Sequence, residues 1–316
     1  MRMSVIIPTR NRHGTLSRCL ECLTAQDCPL ESFEVVVVDD GSSDETWAWL
    51  QTYASGSPFP VRPFRQPPRG PAAARNRGLE AAQGELVVFL GDDIYASPGL
   101  LSRHLAWHAA WPDEWTAVLG QIQWAPDLRV SSLMRWLETS GAQWRFQGLE
   151  AGNSLTYHWF ITANLSLKRA VLLETGAFDE RFPNAALEDT ELGYRLSLRG
   201  LQIRYAADAL AYHWHPVALE GFLERSRKQG RGAIYCTERW PELRPELLEP
   251  MVWFADYPRV VRRTLSHLVR WRWFIAVLFC IASRFADQPP GPLQPWASRV
   301  YWLLVYHYRL LGSASV

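Results

Sequence analysis

The 316-residue sequence carries almost no net charge: 33 Lys and Arg against 32 Asp and Glu leave +1. That balance removes the electrostatic case for a nucleic-acid partner. Cysteine is scarce, and the five present (Cys19, Cys22, Cys28, Cys236 and Cys280) are odd in number and scattered, so no disulfide framework is expected. Cys19 and Cys22 have metal-ligand spacing, but they fall in a helical stretch and no second pair follows, which leaves them as structural thiols. No apolar run reaches the ~20 residues that cross a bilayer, and the longest, Trp273 to Ala282, is about half of that. A first apolar strand begins at Ser4 with no room ahead of it for a signal peptide, so a reducing cytoplasm is the expected compartment. Missing too is a glycine-rich loop with a lysine after that strand, which argues against a sugar nucleotidyltransferase.

What is present is an α/β pattern. With 48% hydrophobic residues the chain can bury a core, and its length exceeds that of a usual single domain. The stretch that organises it is Leu86-Val87-Val88-Phe89-Leu90 followed by Gly91-Asp92-Asp93. An apolar run without polar alternation suits a strand covered on both faces of a mostly parallel sheet. Ligands of such sheets bind beyond the carboxyl ends of the strands. Two carboxylates there repel each other unless a cation sits between them and an anionic partner. Mg²⁺ or Mn²⁺ shared with a diphosphate answers that need.

Other strand ends repeat the pattern. The strand from Ser4 to Ile7 stops at Pro8-Thr9-Arg10-Asn11-Arg12, and a helix is expected from about Thr15 to Thr24. Phe33 to Val38 ends in Asp39-Asp40, and Ser42 with Glu45 has capping-box spacing for the next helix. Asp40 there can accept hydrogen bonds from a nucleobase or ribose, or can serve a helix N-terminus. After a third strand, Val61 to Arg65, Gly70 leads a helix with Arg75 and Arg77 on its first turns, an arrangement suited to a diphosphate. Ser97-Pro98 reads as a cap and first helical position, Thr116 to Trp124 as a strand and Val130 to Leu137 as a helix. Seven tryptophans between residues 107 and 159 suit core filling more than sugar stacking.

Further on, a helix opening near Leu187 carries Glu188, Asp189 and Glu191 in its first turn. An acid among like charges can hold a raised pKa and act as a general base. His213 and His215 stand at alternate positions of a strand and so point the same way, which lets one of them complete a metal site begun by Asp93.

In chain order, the blocks Val5-Ile6-Ile7-Pro8-Thr9-Arg10-Asn11, Val37-Val38-Asp39-Asp40-Gly41-Ser42, Ala74-Arg75-Asn76-Arg77-Gly78 and Phe89-Leu90-Gly91-Asp92-Asp93 resemble the family 2 glycosyltransferases. Asn164-Leu165-Ser166, Gly176-Ala177-Phe178-Asp179-Glu180 and Glu188-Asp189-Thr190-Glu191 continue that resemblance. It implies the GT-A fold, a mostly parallel, Rossmann-like sheet flanked by helices, over residues 1–215. A nucleotide-binding half is expected over about 1–95 and an acceptor half over about 96–215. By resemblance, Pro8, Thr9 and Arg10 line the base pocket, Asp40 meets the base, Arg75 lies near the ribose and diphosphate, and Asp92 lies by the ribose. Asp93 matches the metal-binding acid of the family's D-x-D motif, with His213 or His215 as its downstream partner and Mg²⁺ or Mn²⁺ as cofactor. Asp189 matches the catalytic base of an inverting transfer, and Asn164, Glu188 and Glu191 are acceptor-side candidates. The implied donor is a nucleotide-diphosphate sugar, UDP favoured, and the implied acceptor is a hydroxyl of a glycan or lipid-linked molecule.

Gly91 stands where the first D-x-D acid belongs, which motivates a competing reading as a nucleotide-sugar-binding protein with a decayed site. Arg239-Trp240 is preceded by Cys236 in place of the Gln of a processive synthase's Q-x-x-R-W motif, so transfer of a single sugar is expected.

Residues 216–316 read as a mainly helical C-terminal region, opening with a helix from Leu219 to Tyr235 that carries Arg225, Arg227, Lys228 and Arg231. From Tyr257 onward Asp287 is the only acid among eight arginines, interleaved with aromatic residues. That composition suits an interfacial helix on an anionic membrane, at the inner face of the cell membrane. Packing on the catalytic domain or in a homodimer contact is the competing reading.

Overall fold

Four apolar segments, β1 (Met3–Thr9), β2 (Phe33–Asp39), β3 (Val61–Arg65) and β4 (Leu86–Leu90), pair in parallel in the order β3-β2-β1-β4. The computed structural model that shows this describes residues 2–183, 186–248, 264–265, 267–292 and 294–314. Every residue of β2 and β4 is buried, as β-branched runs require when both sheet faces are covered. The covering helices here are α1 (His13–Thr24), α2 (Thr46–Gly56) and α3 (Pro71–Ala81). The sheet continues through β5 (Ile94–Ala96), β6 (Thr116–Trp124), β7 (Ser154–Leu155), β8 (Asn164–Lys168) and β9 (Gln202–His213) in the order β4-β8-β6-β9-β5, with β7 on β9. β8 runs antiparallel to β4 and β6, so the sheet is parallel on its first side and mixed beyond. From β1 the chain builds outward through β2 and β3, then returns to place β4 on the other side of β1. That reversal is a topological switch point, where the crevice beyond the strand ends takes ligands.

Local capping differs from the sequence expectation. Ser42 and Glu45 form no capping box, because the Ser42 hydroxyl accepts the Asn11 N–H at 2.8 Å while its own N–H meets Asp39, and α2 begins only at Thr46. Ser97 gives no side-chain cap either: α4 (Leu100–Ala110) starts three residues later, with the Leu100 N–H on the Ser97 carbonyl. The helix expected over Val130 to Leu137 is α5 (Ser132–Ser140), capped by the Ser131 hydroxyl on the Met134 N–H.

The chain divides into two compact units. The first comprises Met1–Leu128, Gly148–Arg181 and Glu188–His215, and it holds the sheet, α6 (Arg169–Thr175) and α7 (Glu188–Ser197). The second comprises Arg129–Gln147, Phe182–Leu187 and Pro216–Val316. Residues 129–147 and 182–187 thus group with the region after residue 215. The second unit is helical, and Trp136 of α5 fills its centre at 1% exposure, edge-on to Phe222 of α8 (Leu219–Arg239) and to Trp302. A side chain at Gly230 would strike the Arg309 carbonyl and one at Gly312 the Arg227 carbonyl, so glycine at both positions lets α8 and the helix Gln294–Ser313 cross in backbone contact. Residues 257–263 of the basic, aromatic tail lie outside the described residues. Among the described residues no helix is long and apolar enough to cross a membrane.

In the first unit a buried polar chain pins α4 to β8. Asn164 Nδ2 donates to the carbonyls of Gln121 and Ala209, so its Oδ1 accepts from His104 Nε2 at 3.0 Å. His104 Nδ1 then accepts from the Ser166 hydroxyl at 2.7 Å, and Ser166 Oγ accepts from His108 Nε2 at 2.9 Å. This assignment needs His104 neutral, since its Nδ1 accepts. Burial pushes His104 down to about 4 and His108 down to about 3, from an ordinary 6.5. The unfolded chain therefore takes up protons that the folded chain refuses between pH 6.5 and about 4. Stability is expected to be full above pH 6.5 and to fall as pH drops through that window. The slope is up to about 1.4 kcal/mol per pH unit for each histidine. Thermal melts across the window check this: His104→Gln should flatten the acid limb, and an unchanged limb would remove these histidines as its cause.

Candidate functional site

The switch point brings together the ends of β1 and β4. Thr9, the last residue of β1, donates its hydroxyl to Asp92 Oδ2 at 2.8 Å and so bridges the two strand ends. Burial, reinforced by the charge of Asp93, pushes the Asp92 carboxyl up to about 7. Asp93 goes the other way. Burial works against its charge, yet His213, His215 and the Arg12 guanidinium together hold it well below the usual carboxylate range.

Strand register brings the histidines there. β5 pairs antiparallel with β9, Ile94 opposite His213, and the Trp214 N–H donates to the Asp93 carbonyl at 2.9 Å. Asp93 thus lies opposite Trp214, and alternation sends His213 and His215 to one side. His213 Nε2 is 3.6 Å and His215 Nδ1 3.3 Å from Asp93 Oδ2. The two rings stack 5.4 Å apart, and Trp124 also stacks on His213, 5.2 Å away. Where the sequence offered one histidine or the other, the structure brings both to Asp93.

One ligand atom from each of Asp93, His213 and His215 lies within 4.8 Å of the others. A carboxylate with two imidazoles fits a divalent ion such as Mn²⁺, and fits Mg²⁺ less well because imidazole is a softer ligand than oxygen. Gly91 also has a local reason. A Cβ there would come within 3.0 Å of both Asp93 Oδ1 and Ile94 Cγ1, so an acid at this position would crowd the carboxylate beside it.

Arg12 is the residue that sequence reasoning passed over. Its Nη1 is 2.6 Å from Asp93 Oδ2 and 3.5 Å from Asp92 Oδ1. Nothing local separates it from Arg10, which is exposed in the same loop; only the pairing of β1 with β4 shows which arginine meets the acids. Pro8 is half-buried within β1. Asp40 faces a different task, accepting the Gln66 side-chain amide and the N–H groups of Arg69 and Gly70, each at 2.8 Å, and so fixing the loop that leads into α3.

The acceptor-side candidates are redirected by their partners. Asn164 is fully buried, its amide committed to His104 and to two backbone carbonyls within the sheet. Glu188 is buried against Arg75 at 2.9 Å, and Arg75 in turn lies over the Phe178 ring. Glu191 is buried against Arg195, which also donates to the carbonyls of Thr175 and Ala177. Each is paired in this arrangement, as burial of such groups requires. Asp189 follows Glu188 in the first turn of α7, half-buried, with its Oδ1 accepting the Thr190 N–H at 2.9 Å. The Arg75–Glu188 pair therefore ties α3 to the turn that presents Asp189.

Comparison with known proteins bears on this arrangement. The model of Glycosyl transferase family 2 matches residues 4–158, and that of Glycosyl transferase family group 2 matches residues 87–312. The chain is similar to validoxylamine A glucosyltransferase of Streptomyces hygroscopicus subsp. jinggangensis (strain 5008), 28% identical over 284 residues that cover 79% of this chain and 63% of that one. It spans less than two thirds of the length of such curated relatives. Mannosyltransferase PcManGT from Pyrobaculum calidifontis, in complex with GDP-Man and Mn²⁺, shares the fold with a TM-score of 0.65 at 19% identity, covering 99% of this chain and 87% of that one. S. aureus TarS 1–349, in complex with UDP-GlcNAc, does so with a TM-score of 0.57 at 20% identity, covering 100% and 91%. With the GT-A fold shared and a family match running across most of its length, the chain belongs to the family 2 glycosyltransferases.

Proposed function

We propose that the protein is a metal-assisted, inverting glycosyltransferase that moves one sugar from a nucleotide-diphosphate donor to a hydroxyl of a glycan or lipid-linked acceptor. The observation that carries this reading is the convergence of Asp93, His213 and His215 beyond the strand ends at the switch point. A nucleotide-sugar donor, with UDP favoured, is supported by the UDP-GlcNAc and GDP-Man bound to proteins of the same fold.

Asp93, His213 and His215 would hold the divalent ion, which when bound neutralises charge on the departing diphosphate. Arg12 supplies a second cation beside the same acids and can take a phosphate oxygen in a charge-assisted hydrogen bond. Thr9 fixes Asp92 for the ribose. Pro8 and Arg10 border the base, and Asp40 acts there through the loop it holds. Arg75 contributes through Glu188, by fixing the turn that carries Asp189. Asp189 takes the proton of the acceptor hydroxyl as that oxygen attacks the anomeric carbon. The bond from that carbon to the diphosphate oxygen breaks on the opposite face, and the configuration inverts.

Titration calorimetry against UDP, dTDP and GDP sugars, with Mn²⁺ and with EDTA, tests the donor and metal together. Binding of one donor that needs Mn²⁺ is expected, weakened by Asp93→Ala or His213→Ala beyond the roughly 10- to 100-fold typical of losing an outer-shell partner. Equal binding with EDTA would dismiss the metal. For the base, Asp189→Asn is expected to lower kcat by about 10²- to 10⁴-fold with donor affinity unchanged. Undiminished turnover would take Asp189 out of that role.

A further inference from the structure

The second unit contains a helix that is apolar on two sides. Arg272–Ala286 turns Ile275, Leu278, Ala282 and Ala286 inward, where all are buried. Trp273, Ala276, Val277 and Cys280, spaced at three and four residues, form an outward stripe that is exposed, with Trp273 62% and Val277 50% accessible. Trp271 extends the stripe at 52% exposure, its ring 5.9 Å from that of Trp273. A solvated helix normally turns a polar face outward. Contiguous exposed apolar surface of this kind marks a site of attachment.

Charge decides what attaches. Exposed Arg270 and Arg272 stand at the start of the stripe and exposed Arg284 at its end, while the helix itself has no acid and Asp287 follows only after its last residue. A second copy of the chain, packed by a two-fold axis along this stripe, would bring arginine against arginine. An anionic bilayer surface instead offers phosphates at the rim and hydrocarbon at the centre, and indole rings favour that boundary. The helix has 15 residues, too few to span, so it would lie in the interface.

A second feature of the same unit agrees. A cavity of about 440 Å³ is lined by Arg244, Arg270 and His307 together with Leu248, Val269 and Leu310, with no acid among the described residues of its wall. Cations beside aliphatic side chains suit a lipid phosphate and the start of its acyl chain. Arg270 belongs to both features, lining the cavity and leading into Trp271.

We infer that the second unit docks on an anionic membrane surface, with Trp271, Trp273 and Val277 entering the interface and Arg270, Arg272 and Arg284 meeting lipid phosphates. The inference stands apart from the catalytic reading, because none of these residues lies in the unit that holds the candidate site.

Co-sedimentation of the full chain with vesicles of phosphatidylcholine, with and without phosphatidylglycerol, tests it. Binding at least tenfold stronger to the anionic vesicles is expected, weakening as salt rises. Trp271→Ser with Trp273→Ser, and separately Arg270→Gln with Arg272→Gln, are each expected to lower it about tenfold, with circular dichroism and donor titration unchanged. Failure of the wild type to sediment, or sedimentation of both variants equal to that of the wild type, would overturn the inference. So would a concentration-dependent dimer, seen by analytical ultracentrifugation, that the tryptophan variant abolishes while vesicles bind nothing. A scrambled fold in the tryptophan variant would leave the arginine variant to decide.

Discussion

Two adjacent carboxylates at the end of a buried strand cannot both keep their charge without help, and the site is arranged around that constraint. Asp92 receives a hydroxyl and drifts toward its neutral form; Asp93 receives an arginine and two histidines and stays ionised. The acids are thereby made unequal before any ligand arrives. One is suited to a neutral hydrogen bond with a sugar hydroxyl, the other to a cation. The parallel order β3-β2-β1-β4 is what makes this inexpensive, since it places Thr9 and the acids side by side with no intervening strand.

The same logic of long-range pairing runs through the rest of the first unit. Arg75 on α3 and Glu188 on α7 pair with each other and so join α3 to the helix whose first turn holds Asp189. Breaking one member of such a buried pair costs about 3–5 kcal/mol, because the other charge is left stranded. His104, Ser166, His108 and Asn164 serve the neighbouring strands in a neutral way, through hydrogen bonds that run in a fixed direction. Polar groups thus do the aligning that apolar packing, which has no direction, leaves open.

What the sequence made legible follows from this distinction. Runs such as Val35 to Val38 and Leu86 to Leu90 declare themselves as buried strands because hydrophobicity is a local property. The acids and histidines of the site were legible because their places at strand ends are also local. Arg12 was hidden beside Arg10, and Trp124 among seven tryptophans, because what distinguishes each is a partner many residues away. The partners of Asn164, Glu188 and Glu191 were hidden for the same reason: their chemistry was plain, while their burial was not. The two-unit division was out of reach too, since Trp136 joins the C-terminal helices through contacts with Phe222 and Trp302.

The alternation that presents His213 and His215 makes the candidate site depend on parity along β9. Losing one residue between the paired core of that strand and Trp214 would send both rings to the opposite face of the sheet and leave Asp93 facing the indole of Trp214. Losing two would restore the face but bring His215 to the place His213 now holds and draw His213 back by about 7 Å, leaving one ring at the carboxylate. The site therefore constrains the length of this strand as well as the residues at its end.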